Sequence, residues 1–458
     1  MTTATTSTLE SLNPATGESI GSVPITPVET INDVVSRGRD AQAAWGDMSL
    51  AERIDMIRPA AEAIKARSNE IGSLMTSEMG KPIAEGEGEV GYAAAGLPGL
   101  LDSIASALES ERLDDGKTET DLYYDPFGVC GVITPWNFPF LMPQQTVIPA
   151  LAAGNSVVMK PSEETPLVGQ AFADVYNEFL PDGVLQIIHG DEEQGKALVK
   201  SDVNLIAFVG SRAAGQHILA SAGGDLKRVI LELGGKDPMI VLNDADLESA
   251  ADFAAMNSFR NCGQVCVSTE RIYVEEGIAS DFEQALLERV KDLKVGDGSD
   301  STTRIGPMVS RQQKDMVLAQ LETAKEQGAT VACGDAPMDG NYVTPTVLTG
   351  LDHSMNIMRD ETFGPIACVM RVQDDNEAVT LANDTPYGLG AVVFGSNSDR
   401  TKGVARRLTA GMVGINQGCG GAKGAPWVGA QQSGYGFHGG EHGHRQFTQV
   451  RIVSTPKD

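Results

Sequence analysis

Cys266 closes the segment Asn261-Cys262-Gly263-Gln264-Val265-Cys266, between a helical stretch and a strand at Arg271–Val274. A thiol at the end of an element is open to a ligand, and its thiolate is a strong nucleophile toward carbonyl carbon. The competing reading is a small buried hydrophobe, the common fate of a free cysteine. Glu232 interrupts the otherwise apolar strand Val229–Leu233, just ahead of Gly234 and Gly235. A buried carboxylate costs free energy unless it is paired, so Glu232 is either half of an ion pair or a general base placed to activate water. Asn137 stands in the turn Thr134-Pro135-Trp136-Asn137-Phe138-Pro139, stiffened by two prolines. Its amide either caps the turn or donates to a developing oxyanion, worth roughly 10²- to 10³-fold in rate.

A second set of residues suits a nucleotide. Phe208-Val209-Gly210-Ser211, followed by Gly215, ends a strand and opens a helix. Free N–H groups and the helix dipole favour phosphate at such a junction. This G-S-x-x-x-G fragment is shorter than the full dinucleotide fingerprint. Glu163, in Lys160-Pro161-Ser162-Glu163, also follows a strand. It reads as a ligand to ribose hydroxyls or as a solvated helix start.

These residues need elements to hold them. Apolar spacing predicts helix from Pro27 to Ser68, as two amphipathic helices that open the chain. A polar stretch, Glu109–Tyr124, leads to buried strands at Val129–Ile133 and Ser156–Met159, then a helix at Leu167–Phe179. Strands at Leu185–His189 and Leu205–Val209 alternate with helices at Gln194–Lys200 and Ala213–Ser221. Such alternation implies an α/β fold with a parallel, doubly wound sheet and a ligand at the carboxyl ends of its strands. It restarts after Gly235, so a second α/β domain is expected from about Lys236 to Ser433.

Bulk properties narrow the function. A chain of 458 residues exceeds one core and leaves room for a cleft between domains. With 62 acidic and 35 basic residues, its formal charge of −27 argues against nucleic acid as a partner. A surface so acidic suits a salt-rich interior, where screening relieves self-repulsion. The polar amino terminus, Met1–Ser11, has no signal-peptide pattern, and no stretch has the length and apolarity of a membrane span. Six scattered cysteines fit a reducing cytoplasm rather than a disulfide framework or zinc cluster. His438, His442 and His444 lie among Gly439, Gly440 and Gly443, which predicts a flexible loop and no metal site. Lys81 reads as a surface or helix-end residue.

In order and spacing, from about Asn13 to Val453, the chain resembles the aldehyde dehydrogenase superfamily. The blocks that carry the resemblance are Asn13-Pro14-Ala15-Thr16-Gly17, the Trp136-Asn137 turn, Lys160-Pro161-Ser162-Glu163 and Glu232-Leu233-Gly234-Gly235-Lys236. Gly263-Gln264-Val265-Cys266, Glu361-Thr362-Phe363-Gly364-Pro365 and Ser433-Gly434-Tyr435-Gly436 complete them. The resemblance implies that Cys266 is the catalytic thiol, Glu232 the general base and Asn137 the oxyanion-binding amide, acting with the Cys266 backbone N–H. It implies a nicotinamide cofactor held by Ile133, Thr134, Pro135 and Trp136 on one strand end, and by Lys160, Ser162 and Glu163 on the next. Gly210 and Ser211 would face the pyrophosphate and Glu361 and Phe363 the nicotinamide riboside, with Gly215, Leu233 and Gly234 also counted among the cofactor-binding residues. The Glu163 carboxylate would repel a 2′-phosphate, which favours NAD over NADP.

The same resemblance implies oxidation of an aldehyde to an acid through a cysteine thioester that water hydrolyses. Arg260 looks like the position where succinic semialdehyde dehydrogenases bind the substrate carboxylate, although their second arginine is replaced here by Gln145. Ser268 stands where some of those relatives place a neighbouring redox cysteine, and Cys262 fills a small-residue slot. Two other readings stay open: a coenzyme A-acylating semialdehyde dehydrogenase, whose members usually lack a base at the position of Glu232, and a non-catalytic structural role. The expected division is a cofactor domain at 1–107 and 126–235, a catalytic domain at 236–434, and an oligomerisation element at 108–125 and 435–458. Within that element a hairpin near Thr118–Tyr124 and a last strand near Phe447–Val453 would build a homodimer or homotetramer.

Overall fold

The computed structural model describes residues 7–457. Residues 1–6, where the polar amino terminus and the expected first domain begin, and residue 458 lie outside the described residues. The described chain opens with a hairpin, β1 (Thr8–Leu12) and β2 (Ser19–Pro24), rather than a helix. The region expected as two helices, Pro27–Ser68, holds three, Ile31–Asp47, Leu50–Ile57 and Ala60–Ala66, and two more, Ser68–Met79 and Ile83–Ala107, follow it. Ser49 and Glu52 form a reciprocal capping box that restarts the helix at Leu50, and left-handed Gly80 ends the fourth. The break between Ile57 and Ala60 divides the second expected helix, whose apolar spacing runs on through Ile54, Ile57, Ala61 and Ile64.

β3 (Glu111–Asp114) and β4 (Thr118–Pro126) follow, then β5 (Val129–Ile133), β6 (Ser156–Lys160), β7 (Leu185–Ile187), β8 (Leu205–Val209) and β9 (Arg228–Glu232). The next group is β10 (Asp237–Val241), β11 (Thr269–Glu275), β12 (Thr330–Cys333), β13 (Thr346–Thr349), β14 (Ile366–Val372), β15 (Gly390–Phe394) and β16 (Met412–Ile415). β17 (Gly434–Tyr435) and β18 (Thr448–Pro456) complete the strands. One sheet has the order β17-β9-β8-β5-β6-β7 and is parallel apart from β17. The second runs β12-β13-β14-β11-β10-β15-β16 and is parallel apart from β12. β5, β6 and β8 are buried along nearly their whole length, as apolar runs covered on both faces require.

Register in the first sheet aligns the site. Ile133 pairs with Lys160 on one side and with Phe208 on the other, and Val209 pairs with Glu232. Four strand ends therefore share one edge. The second sheet meets that edge from the opposite sense: Cys266 and Glu361 precede β11 and β14, at the amino ends of their strands. Candidate site residues lie at carboxyl ends in the first sheet alone.

The tail departs from the expected division. β17 is antiparallel to β9 in the first sheet, and Leu233 N–H donates to Ser433 O at 2.9 Å. Phe447 is fully buried in the first domain's core. Only β18 joins β4 and β3 in a separate small sheet, pairing with β4 from Thr448↔Pro126 to Pro456↔Thr118. Among the described residues no helix is long and apolar enough to cross a membrane.

Candidate active site

Asp246 caps the helix Leu247–Phe259, and its end delivers the chain to Arg260. Asn261, Cys262 and Gly263 then all take left-handed backbone angles (φ 49°, 58° and 71°). Such a run is strained except at glycine and persists only where surroundings enforce it. At Gly263 the enforcement is contact: a Cβ there would collide with the Gly364 carbonyl. The buried Gln264 side chain donates to Asn261 O at 3.0 Å and accepts from Val309 N–H at 2.9 Å. Asn257 Nδ2 donates to Val267 O at 2.9 Å, so the loop is tied on both sides of Cys266.

Cys266 retains partial exposure in a cleft of about 210 Å³. Glu232 Oε1 lies 4.0 Å from its Sγ. Asn137 Nδ2 donates to Gln264 O at 3.0 Å, and its second hydrogen remains available for another acceptor. Its carbonyl accepts from Lys81 Nζ at 2.8 Å and Asn261 Nδ2 at 3.3 Å. Burial, then the charges of Glu232 and Asp237, push the Cys266 thiol well above its ordinary range. The thiol therefore needs a base beside it to become a nucleophile near neutral pH.

The same cleft is lined by Pro135, Trp136, Gly210, Ser211, Leu233, Gly234, Glu361 and Phe363. A Cβ at Gly234 would displace the carboxylate of Glu361, whose Oε1 accepts from Gly235 N–H at 2.9 Å. Phe363 sits at φ 53° with its ring edge-on to Trp136, 5.4 Å between centroids. Ile133, Thr134, Lys160, Ser162, Glu163 and Gly215 lie outside this lining. Thr134 N–H donates to Lys160 O at 3.1 Å, and Lys160 Nζ to Glu163 Oε2 at 3.1 Å. Glu163 stays about half exposed at its strand end. Ser162 Oγ accepts from Glu164 N–H at 3.3 Å, and Gly215 packs beneath Leu233. The donor set fits a dinucleotide: a helix N-terminus at Ser211–Arg212 for phosphate, and separate carboxylates, Glu163 and Glu361, for two riboses.

Arg260 is exposed and lines a neighbouring space of about 210 Å³ with Phe253, Asn257, Val267, Cys419 and Trp427. Cys266, Cys419 and Trp427 pack on one apolar cluster, so the two spaces share a wall. Gln145 is half-buried on the helix Leu141–Ala152 and lines neither space. Cys262 is buried with its sulfur 3.5 Å from Met308 Sδ, and both it and Cys266 are free thiols.

Two expectations are corrected. Lys81 does follow the end of the helix Ser68–Met79, but it is not at the surface: it is 2% exposed, pairs with Glu89 at 2.5 Å and lies 4.1 Å over the Phe138 ring. The histidine segment is no flexible loop. Gly440–His444 forms a short helix, and His438 and His444 are buried, with His438 Nε2 2.5 Å from Glu232 Oε2 and His444 Nε2 3.2 Å from Ser103 Oγ. Neither could be seen in local sequence, since their partners lie far along the chain. Among the described residues no group of three His, Cys, Asp or Glu side chains could hold a metal.

Sequence reasoning also passed over Glu270. Buried on β11, it accepts from Thr362 and Phe363 N–H at 2.8 Å each and from Lys236 Nζ at 2.6 Å. Gln320 Nε2 donates to Glu361 O at 3.0 Å. These two residues hold the Glu361–Phe363 turn against the Cys266 loop. Glu89 does the same for the Asn137 turn, accepting from Phe140 N–H at 3.1 Å and Leu141 N–H at 2.9 Å.

Comparison with known proteins matches residues 1–453 to the Aldehyde dehydrogenase family. The chain is 38% identical to a probable succinate-semialdehyde dehydrogenase [NADP(+)] of Sinorhizobium fredii, over 96% of this chain and 91% of that protein. It is 36% identical to the chloroplastic betaine aldehyde dehydrogenase of Amaranthus hypochondriacus, over 97% and 92%. The crystal structure of an NAD-dependent aldehyde dehydrogenase from Sinorhizobium meliloti superposes with a TM-score of 0.95 at 34% identity, covering 98% of this chain and 92% of that one.

Proposed function

The chain belongs to the aldehyde dehydrogenase family and is an aldehyde-oxidising oxidoreductase; we propose that it uses NAD and hydrolyses a thioester formed on Cys266. One observation carries this reading: a carboxylate oxygen of Glu232 lies 4.0 Å from the Cys266 sulfur, in the cleft that also holds Asn137. In the first half-reaction Glu232 takes the thiol proton and the sulfur bonds the aldehyde carbon. The new oxyanion is held by Asn137 Nδ2–H and the Cys266 backbone N–H. A nicotinamide held in the cleft beside Glu361 and Phe363 would supply the acceptor for the hydride of that carbon. After Glu232 has released the first proton to solvent, water attacks the thioester as Glu232 takes its proton, the C–S bond breaks, the sulfur recovers that proton, and the acid leaves. A base this close to the thiol favours water over coenzyme A as the acyl acceptor, and the intact trio favours catalysis over a structural role.

Glu163 supports the choice of NAD. Its partly exposed carboxylate occupies Lys160, so a 2′-phosphate would meet an anion whose neighbouring cation is already paired. Arg260 supports an acid-bearing aldehyde, such as a semialdehyde, because this cationic residue lines the space that adjoins the Cys266 wall. We assign a homodimer or homotetramer assembled through the small sheet, where Val450, Ile452 and Val453 of β18 are exposed. A salt-rich cytoplasm is the setting that the acidic composition suits.

A panel of succinic semialdehyde, glycolaldehyde, betaine aldehyde and benzaldehyde, each with NAD and NADP, tests the reading. The highest kcat/KM is expected for succinic semialdehyde with NAD, and loss of turnover is expected in Cys266→Ser. A clear NADP preference would overturn the cofactor assignment. Full NADH production by Cys266→Ser would overturn the mechanism.

A further inference from the structure

Glu232 is buried on an apolar strand, and its two carboxylate oxygens face different groups. Oε1 lies 4.0 Å from Cys266 Sγ, and Oε2 lies 2.5 Å from His438 Nε2. Both side chains of the Glu232–His438 pair are 6% exposed. A lone carboxylate in such a place would be costly and free to rotate or take up a proton. The elements surrounding His438 leave its ring little freedom. Its carbonyl accepts from Trp427 N–H at 2.8 Å, the Trp427 ring lies within 20° of parallel to it, and Gly443 packs against its backbone. His438 thus reaches Glu232 from a segment, after β17, that returns to the first sheet beside β9.

We propose that His438 is the positioning residue of the general base: its Nε2–H holds Oε2 of Glu232, which leaves Oε1 aimed at the thioester carbon on Cys266. This rests on the thioester reading above and adds a residue to it. In the hydrolytic step the water oxygen bonds the thioester carbon and a water proton passes to Glu232 Oε1. The C–S bond then breaks, and the departing sulfur recovers that proton as the acid is released. His438 gains and loses no proton in this sequence. Its part is to keep one oxygen engaged so that the other is presented with its lone pairs toward the water. A residue that merely filled space would serve equally well as any flat ring against Trp427.

Two substitutions separate hydrogen bonding from space-filling. His438→Phe keeps a ring against Trp427 and removes the donor. His438→Gln removes the ring and keeps an N–H near the Nε2 position. p-Nitrophenyl acetate, an activated ester, acylates a reactive thiol directly and releases p-nitrophenolate, so hydrolysis of the acyl group is read with no nicotinamide present. Rapid mixing with the full-length wild type, both variants and Cys266→Ser gives the burst of p-nitrophenolate and the steady rate that follows, with near-ultraviolet circular dichroism confirming the fold of each. The expected result is a full burst with a steady rate lowered roughly tenfold or more in His438→Phe, against a rate within about threefold of wild type in His438→Gln. Equal rates in the two variants, or a faster Phe variant than Gln variant, would overturn the proposal while leaving the thioester reading in place. Ester hydrolysis by Cys266→Ser at the wild-type rate would instead remove the reading on which the proposal stands.

Discussion

Glu232 Oε1 stands 4.0 Å from Cys266 Sγ, and the charge of Glu232 is the chief neighbouring influence that keeps the thiol protonated, after burial itself. The carboxylate proposed to deprotonate the thiol therefore also raises its pKa. Replacing Glu232 by Gln removes that charge, so the Cys266 thiol should titrate at lower pH than in the wild type even as turnover falls. Alkylation of Cys266 by iodoacetamide, followed by mass spectrometry across pH, measures it. An unchanged or higher midpoint in Glu232→Gln would contradict the arrangement.

Lys81 and Glu89 form a buried pair whose polar contacts pin the Trp136–Asn137 turn. Lys81→Met leaves Glu89 buried without its cation, a loss of about 3–5 kcal/mol by general experience with such pairs. Thermal unfolding should show the loss, and kcat should fall in the folded fraction because Asn137 O no longer has its Lys81 donor. Adding Glu89→Gln to Lys81→Met should restore part of the stability. A single variant as stable as wild type would show that the pair is dispensable.

Burial, reinforced by the charge of Glu270, pushes Glu361 up to about 8. Below that pH the group is mainly protonated and offers a poorer acceptor to ribose hydroxyls; above it the carboxylate is restored. NAD should therefore bind more tightly as pH rises from 7 to 9, by up to roughly tenfold, through the proton it displaces. Calorimetric titration of wild type and Glu361→Gln checks this. A slope that persists in Glu361→Gln would assign the effect to another group.

A formal charge of −27 is costly to confine in one folded chain when ions are dilute. At about 1 M salt the screening length shortens to about 3 Å, which removes most of that repulsion. The melting temperature should accordingly climb with KCl. A midpoint indifferent to KCl would argue against a salt-rich setting.

The sheets were readable because parallel strands are buried on both faces and appear as apolar runs: Val129–Ile133 and Leu205–Val209 carry the same bounds in sequence and structure. The break between Ile57 and Ala60 and the hairpin Thr8–Pro24 were less visible, since a one-turn interruption and a strand pairing leave no mark in apolar periodicity. Cys266, Glu232 and Asn137 each had an ordinary alternative reading, and the structure brings all three to one cleft. Their supports stayed hidden. Lys81 reaches Asn137 across 56 residues, Glu270 reaches Phe363 across 93, and His438 reaches Glu232 across 206. Nothing in a local window marks a lysine as buried or a glycine-flanked histidine as fixed when the partner is so distant. Glycines suggested flexibility around His438, whereas in the fold they permit close approach of Gly443 to that residue.

Trapping the covalent intermediate tests the central claim most directly. At alkaline pH, where the Cys266 thiol ionises without a base beside it, Glu232→Gln mixed with NAD and succinic semialdehyde should form NADH toward one equivalent per Cys266 and then stall, and peptide mass spectrometry should place the acyl group on Cys266. Continued linear NADH production with no adduct, or an acyl group on a cysteine other than Cys266, would contradict a thioester mechanism in which Glu232 activates water.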